Sequence, residues 1–205
     1  FSLDASSGAV AQTNSFRRYA PHHFVYRAER QRGFSDKGGI APQDIMTFEF
    51  DESTGVITGV VDSRYHGDYP IRGPFVLSPD GGTLYTAAGT AFSANETMDY
   101  VGRFDYPTQS LTFAPAANRA YALRGDGYYA PSPTLDVYAS TSREHLREVT
   151  VTGAPYGLLL DADRLAVLSV TGERFKRLAV SLFDLDEVEP GATRPLRLIT
   201  PTRGA

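Results

Sequence analysis

The sequence has no cysteine, no excess of positive charge and no long apolar run. Without cysteine there are no disulfide bonds, thiolate zinc sites or cysteine nucleophiles. With 20 Lys and Arg against 24 Asp and Glu, the net charge of −4 offers no basic face for phosphates, so we expect no nucleic-acid partner. The most apolar stretch, residues 157–170, is interrupted by Asp161, Asp163 and Arg164, and nothing approaches the roughly 18 to 20 apolar residues of a membrane span.

The sequence also lacks the short motifs that mark common catalytic and nucleotide sites. It contains no Gly-x-Ser-x-Gly, no His-Glu-x-x-His and no phosphate-binding loop. Gly125-Asp-Gly127 is followed by Tyr128-Tyr129-Ala-Pro131, which does not begin a helix as a dinucleotide motif requires. We identify no cofactor from the sequence.

One sequence pattern is repeated along the chain. Residues 1–10, with Asp4 and Gly8, return as residues 48–57, with Asp51 and Gly55, and weaker copies follow near Phe104, Tyr138 and Phe183. Each copy is an apolar strand, a turn of Asp, Ser or Thr and Gly, and a second apolar run, which is typical of a β-hairpin. Asp4 and Asp51 lie 47 residues apart, a spacing typical of one propeller blade or solenoid unit.

A second hairpin type alternates with the first. In residues 73–87 a Pro-Asp-Gly-Gly turn lies between two apolar runs. Residues 153–168 have the same spacing between the proline and the second apolar run, and residues 111–123 are a shortened version of the pattern. Residues 28–43, in which Arg, Gln, Ser, Asp and Lys accompany Gly33, Gly38 and Gly39, are predicted to be a long loop. No 3.6-residue apolar period persists, so we expect almost no helix.

Residues Ser78 to Tyr85 resemble the Ser-Pro-Asp-Gly-x-x-Leu/Ile-Tyr turn of the WD40-like and YVTN-type β-propeller repeats. Gly73-Pro74 fits the start of their innermost strand, and Pro155 to Leu165 is a degenerate echo. The resemblance implies the fold only, because that superfamily includes lactonases, periplasmic scaffold proteins, peptidase gate domains and surface proteins. The absence of tryptophan excludes the Trp-Asp dipeptide and quinoprotein repeats.

The fold class expected is all-β, a propeller of four-stranded antiparallel blades with about four and a half blades in this chain. We predict a half blade at 1–12 and blades at 19–61, 72–113, 118–151 and 155–199, with inner strands starting near Phe24, Pro74, Ala120 and Pro155. About 18 strands fall short of the roughly 20 that five closed blades need, so we expect completion by further residues or by another chain. The start at Phe1, without Met or a leader, favours a trimmed chain or fragment, and a secreted or periplasmic location is slightly favoured.

Aromatic residues are concentrated in the predicted insertions at 62–72, 88–100 and 124–133. Tyrosine gives large contact area with little loss of entropy, as recognition loops require. The candidate binding residues are therefore Tyr65, His66, Asp68, Tyr69, Phe92, Tyr100, Tyr128 and Tyr129. This pattern favours non-catalytic recognition of a protein or carbohydrate partner. Packing of the same aromatics between blades is an equal alternative.

A metal site is the alternative interpretation of the histidines. His22 and His23 precede an inner strand, where one of them, with His66 and Asp68, would reach the channel of a metal-dependent lactonase-like or lyase-like enzyme. Adjacent strand residues point to opposite faces, so only one of the two can do so. His145 is predicted to be an exposed turn residue.

Overall fold

A computed structural model describes strands at 2–3 and 10–12 and residues 22–37, 43–125, 134–172 and 177–192. In these ranges the fold is all-β, with one four-residue helix, α1 (Leu185–Val188), and two 3-10 turns. The prediction of almost no helix is confirmed. Among the described residues, no helix combines the length and the apolar character that crossing a membrane requires.

The strands form antiparallel sheets of consecutive strands, as expected for propeller blades. A short hairpin consists of β1 (Ser2–Leu3) and β2 (Val10–Gln12). Sheet 1 contains β3 (Phe24–Arg27), β4 (Arg32–Asp36), β5 (Ile45–Asp51) and β6 (Val56–Asp62). Sheet 2 contains β7 (Phe75–Leu77), β8 (Thr83–Thr86), β9 (Thr90–Ser93) and β10 (Tyr100–Arg103).

Sheet 3 contains β11 (Thr108–Ala114), β12 (Arg119–Arg124), β13 (Thr134–Ala139) and β14 (His145–Thr150). Sheet 4 has three described strands, β15 (Ala154–Asp161), β16 (Arg164–Thr171) and β17 (Arg177–Asp184). The residues predicted to form its fourth strand, 196–199, lie outside the described ranges.

The turn of the propeller-like motif forms as its sequence predicts. The Asp80 carboxylate accepts the Gly82 N–H at 2.9 Å and the Ser78 hydroxyl at 2.5 Å, and the Ser78 hydroxyl accepts the Thr83 N–H. Gly81 has a φ of 65°, a left-handed conformation that glycine adopts without a Cβ clash. The turn thus closes the β7–β8 hairpin with its own polar side chains.

The loop predicted at residues 28–43 is wrong in part, because β4 lies inside it. Its central residue Phe34 is completely buried, and Gly33 passes beneath the ring of Phe24. A Cβ on Gly33 would lie 2.4 Å from Phe24 Cζ, so the close approach requires glycine. The glycine that reads locally as a loop signal therefore marks a packed strand.

The third sheet begins at Thr108, which differs from the expected bounds. Strand β11 pairs with β12 across a turn at Asn118, so β11 belongs to sheet 3 rather than to the predicted unit 72–113. The inner strand expected near Ala120 is wrong, since β12 is the second strand of its sheet. Leu111 to Phe113 share the β-branched and aromatic character of both hairpin types, which is why the local pattern misassigns them.

The chain divides into two compact units, Phe1–Gly102 and Arg103–Ala205, each with a core of its own. In the first unit, Phe34 and Ile45 of sheet 1 pack with Leu84 and Phe92 of sheet 2. In the second unit, residues of sheets 3 and 4 share a core, among them Tyr121, Leu123, Leu135, Val137, Leu165 and Val167.

In the second unit, the segment after β17 is fastened to sheet 3 by Glu189. Its carboxylate accepts hydrogen bonds from Arg119 Nε at 2.6 Å and from the Tyr121 hydroxyl at 2.8 Å. Arg147 donates to the carbonyl oxygens of Glu187 and Glu189. Burial, together with the Glu189 carboxylate, raises the pKa of Tyr121 above its ordinary value. Polar bonds therefore join residues about 70 positions apart in the sequence.

Candidate functional site

Four of the predicted binding aromatics converge in the first unit. Tyr65 and Tyr69 lie in the loop between β6 and β7, Phe92 lies in β9 and Tyr100 begins β10. The Tyr69 and Tyr100 rings stack at 4.0 Å, and Tyr65 meets Tyr69 edge-on at 4.9 Å. All three tyrosines pack against the core that contains Phe92.

Phe92 supports this cluster from below and does not reach solvent. Its side chain is completely buried in a sheet strand, whereas the sequence analysis placed it in an aromatic loop insertion. The proposed contact of Phe92 with a partner is therefore wrong, and its role is packing. The three tyrosines are only partly buried, so the packing and recognition interpretations both describe part of the cluster.

Charged side chains lie beside Tyr65. The Tyr65 hydroxyl accepts the N–H of Tyr100 at 3.1 Å and a hydrogen bond from Arg64 Nη2 at 2.9 Å. These two donors lower the pKa of Tyr65. Arg64 is also paired with Asp99, and the two side chains are 61% and 47% exposed. We call Arg64, Tyr65, His66, Tyr69, Asp99 and Tyr100 the tyrosine–histidine surface.

His66 extends this surface, and its imidazole is 60% exposed. Its Nδ1 lies 3.0 Å from Oδ2 of Asp44, and its main-chain N–H donates to the Asp68 carboxylate at 3.1 Å. Asp68 therefore holds the loop conformation around His66. The two residues are close together, as the sequence implies, and the hydrogen bond between them involves the main chain of His66.

Asp44, Asp62 and His66 form the only group in the described ranges whose potential metal-ligating atoms all lie within 4.8 Å of one another. The Lys37 ammonium already contacts both carboxylates, at 2.5 Å from Asp62 and 3.8 Å from Asp44. Asp44 Oδ1 is buried and accepts no hydrogen bond from a described residue. The donor set of two carboxylates and an imidazole fits a divalent cation, with Lys37 as its competitor.

The predicted metal set of His22, His66 and Asp68 is not assembled. The main-chain N–H groups of His22 and His23 both donate to Asp36 at 2.9 Å, and His23 Nδ1 lies 3.1 Å from the same carboxylate. Asp36 is buried, which alone would raise its pKa, but the hydrogen bonds from His23 and His22 outweigh burial and lower it. This histidine pair is thus used to anchor the start of β3.

Asp44 and Asp62 were missed by the sequence analysis. Asp44 immediately precedes β5 and Asp62 ends β6, and in this antiparallel pair Met46 lies opposite Asp62. The two carboxylates therefore meet at one end of the sheet. The available signal was the position of each aspartate at a strand boundary. The candidates Tyr128 and Tyr129 lie outside the described residues.

A second charged cluster occupies sheet 3. Arg124 binds both oxygens of Asp136, at 2.9 and 2.5 Å, and also contacts Glu148 at 2.9 Å. His145 Nε2 lies 3.0 Å from Asp136, so the prediction that His145 is an exposed turn residue is wrong. The hydrogen bond to Asp136 raises the pKa of Arg124, which keeps the guanidinium charged. The Tyr106 ring covers Arg124 at 3.5 Å.

No family model matches the chain, and no curated protein matches it. Among solved structures, it is similar to hydrazine synthase of Kuenenia stuttgartiensis, with a TM-score of 0.60 and 15% identity over 83% of this chain and 47% of that one. It is also similar to a chain of a nidogen–laminin complex, with a TM-score of 0.53 and 11% identity over 81% of this chain and 60% of that one. The Pan2 WD40 domain of Neurospora crassa scores 0.48 at 9% identity, covering 86% and 66%, which is too low to add to the fold assignment.

These likenesses, with the consecutive antiparallel sheets, assign the chain to the β-propeller class of folds. The chain spans 47% of the hydrazine synthase chain and 60% of the chain matched in the nidogen–laminin complex. At identities of 15% and 11% the likeness shows the fold alone.

Proposed function

We propose that this chain is a non-catalytic propeller module that binds a protein or carbohydrate partner through the tyrosine–histidine surface. The observation that carries the proposal is a set of interlocked tyrosines, fixed on the buried Phe92 and bordered by exposed charges. Tyrosines held in place lose little entropy on binding, and exposed charges around them set orientation and specificity.

A protein partner is favoured over a carbohydrate by the arrangement of the rings. Tyr69 and Tyr100 stack face to face with an angle of 7° between their rings, so neither of the two stacked faces is available to a sugar. The hydroxyl edges and the Arg64–Asp99 pair instead suit polar and charged groups of a protein. The nidogen chain of similar fold was solved in a complex with laminin, which supports a binding role for a propeller of this kind.

The test compares two arginines of similar exposure. Arg64 on the proposed surface is 61% exposed and paired with Asp99, whereas Arg164 on β16 is 68% exposed and paired with Asp184. Proteins and glycans retained by the wild type and by Arg164→Ala, but lost by Arg64→Ala and His66→Ala, would be identified and then titrated as purified components by calorimetry. Equal retention by all four proteins would contradict the proposal.

A metal-dependent enzyme is the second candidate, because Asp44, Asp62 and His66 bring three ligand atoms together. Zinc, manganese and calcium titrations of the wild type and of Lys37→Met discriminate the two functions. Stoichiometric binding that His66→Ala abolishes would favour the enzyme. Absence of binding in Lys37→Met, where the competing ammonium is removed, would exclude this group as a metal site.

A further inference from the structure

Sheet 4 is apolar on both faces. One face carries Leu158, Leu165, Val167 and Phe183, which are buried in the core of the second unit. Register places a second aliphatic set on the opposite face: Leu159 opposite Ala166 and Leu182, Leu168 opposite Val180, and Val170 opposite Leu178. An antiparallel sheet that meets water on one side normally alternates apolar and polar residues. This sheet does not.

The second face is open in the described structure. Leu159 and Leu178 are each 61% exposed, although both are leucines on the strands of a regular sheet. The remaining members of the set are partly exposed. A contiguous aliphatic surface of this kind marks an interaction site rather than scattered surface residues. We call this side of sheet 4 the aliphatic face.

Sheet 1 presents an aromatic face of corresponding character. Phe24 is 51% exposed and Tyr26 is 41% exposed, and both rings meet Phe50 edge-on, at 6.1 and 5.4 Å. Val60, 43% exposed, lies in register with Phe48 on the same side, where Met46 and Phe48 of the central strand β5 are buried beneath the exposed aromatic residues. On the opposite side of sheet 1, Phe34 and Ile45 are buried in the core of the first unit.

We propose that the aliphatic face of one copy of this chain docks on the aromatic face of a second copy. Within each unit the chain already packs one sheet face on another, sheet 1 on sheet 2 and sheet 3 on sheet 4. Sheets 1 and 4 each keep exposed apolar side chains on their other face, and the same contact between copies covers both sets. The similar chain of hydrazine synthase is longer than this one, since 83% of this chain aligns with only 47% of it, and a second copy supplies the additional length.

The size of the faces determines how the copies associate. Sheet 4 has three strands of eight residues. At about 4.8 Å between strands and about 3.3 Å per residue, its face measures roughly 14 by 26 Å. One contact between two such faces covers on the order of 750 Å², whereas specific interfaces bury about 1,200–2,000 Å². Two identical contacts in a closed pair reach this range, so we expect a dimer or a small ring rather than a single weak contact.

The experiment measures mass by size-exclusion chromatography with light scattering. We expect the wild type to have a multiple of 22.3 kDa, and Leu178→Lys and Phe24→Lys each to have 22.3 kDa at the same protein concentration. Val61→Lys is the matched control, because Val61 is 46% exposed but lies in register with Thr47, on the side of sheet 1 opposite Phe24. This control keeps the wild-type mass. Circular dichroism verifies the fold of each variant, and Leu159→Lys or Tyr26→Lys replaces one that fails to fold.

Mixing the two single-face variants tests the pairing of unlike faces. Leu178→Lys retains an intact aromatic face and Phe24→Lys retains an intact aliphatic face, so their mixture is expected to recover mass above that of either alone at high concentration. A wild-type monomer at every soluble concentration would overturn the proposal. Equal loss of mass in Val61→Lys, or an oligomer that survives both Leu178→Lys and Leu159→Lys, would also overturn it.

Discussion

Replacing Asp136 by Asn tests whether the charged cluster of sheet 3 holds the second unit together. The Asp136 side chain is 1% exposed and binds Arg124 through both oxygens. Asparagine keeps the shape and one acceptor oxygen but removes the charge, which leaves the Arg124 guanidinium partly buried beside a neutral group. Breaking a buried ion pair by neutralising one partner costs about 3–5 kcal/mol.

Glu148→Gln is the matched control because it alters the other carboxylate on the same arginine. Glu148 is 50% exposed, and exposed ion pairs contribute about 0–1 kcal/mol. We therefore expect Asp136→Asn to lower the free energy of unfolding at least three times as much as Glu148→Gln does. The two carboxylates contact the same nitrogen of Arg124 at similar distances, 2.5 and 2.9 Å. Burial, rather than distance, sets the difference.

Urea unfolding followed by far-ultraviolet circular dichroism measures the free energy of unfolding of each variant. Circular dichroism is used because the chain has no tryptophan whose fluorescence could report unfolding. For a chain of this size, about 3 kcal/mol corresponds to a fall in Tm of roughly 6–12 °C. If Asp136→Asn destabilises the protein no more than Glu148→Gln does, the argument from burial is refuted.

Three further predictions concern packing, pH and a turn. Phe92→Ala should lower the free energy of unfolding by about 3–5 kcal/mol, because Phe92 is completely buried, and a loss below about 1 kcal/mol in urea unfolding would contradict its role as support. The folded-state pKa of Asp36 is lowered, so its ionised form stabilises the fold above the unfolded pKa, and this stability is lost as pH falls below about 4. Asp36→Asn should flatten the acid side of a pH–stability curve, and an unchanged slope there would count against the His23 contact. Asn118 has a φ of 52° and accepts hydrogen bonds from Ser140 and Thr141, so Asn118→Ala should cost about 2 kcal/mol and Asn118→Gly less, as thermal unfolding will show.

The hairpins could be predicted from sequence because their turns are specified locally. Asp80 and Gly81 close β7–β8 with their own polar groups and backbone conformation, which needs no distant contact. Strand β4 could not be predicted in this way. Gly33 is strand-like only because the Phe24 ring lies on it and β5 pairs beside it, and both are tertiary effects.

Most residues of the candidate site could be predicted from sequence, but the residues that they contact could not. Tyr65, Tyr69 and Tyr100 do converge, whereas Phe92 lies beneath them, because one alternation in β9 decides which side of the sheet a side chain occupies. His66 meets Asp44 rather than His22 because the pairing of β5 with β6 brings two strand ends together. Such pairings depend on register, which the separate segments do not reveal.

The hydrogen bonds between sheet 3 and Glu189 affect the hydrogen exchange expected for the second unit. Arg119 and Tyr121 on β12 donate hydrogen bonds to the carboxylate of Glu189, which follows β17. Separation of β17 and the segment after it from the second unit therefore requires both hydrogen bonds to break. Opening at the end of the described chain is thereby tied to opening of a central strand. The amides of β12 and β17 should therefore exchange with deuterium in one cooperative step, at a common free energy, rather than from the chain end inward.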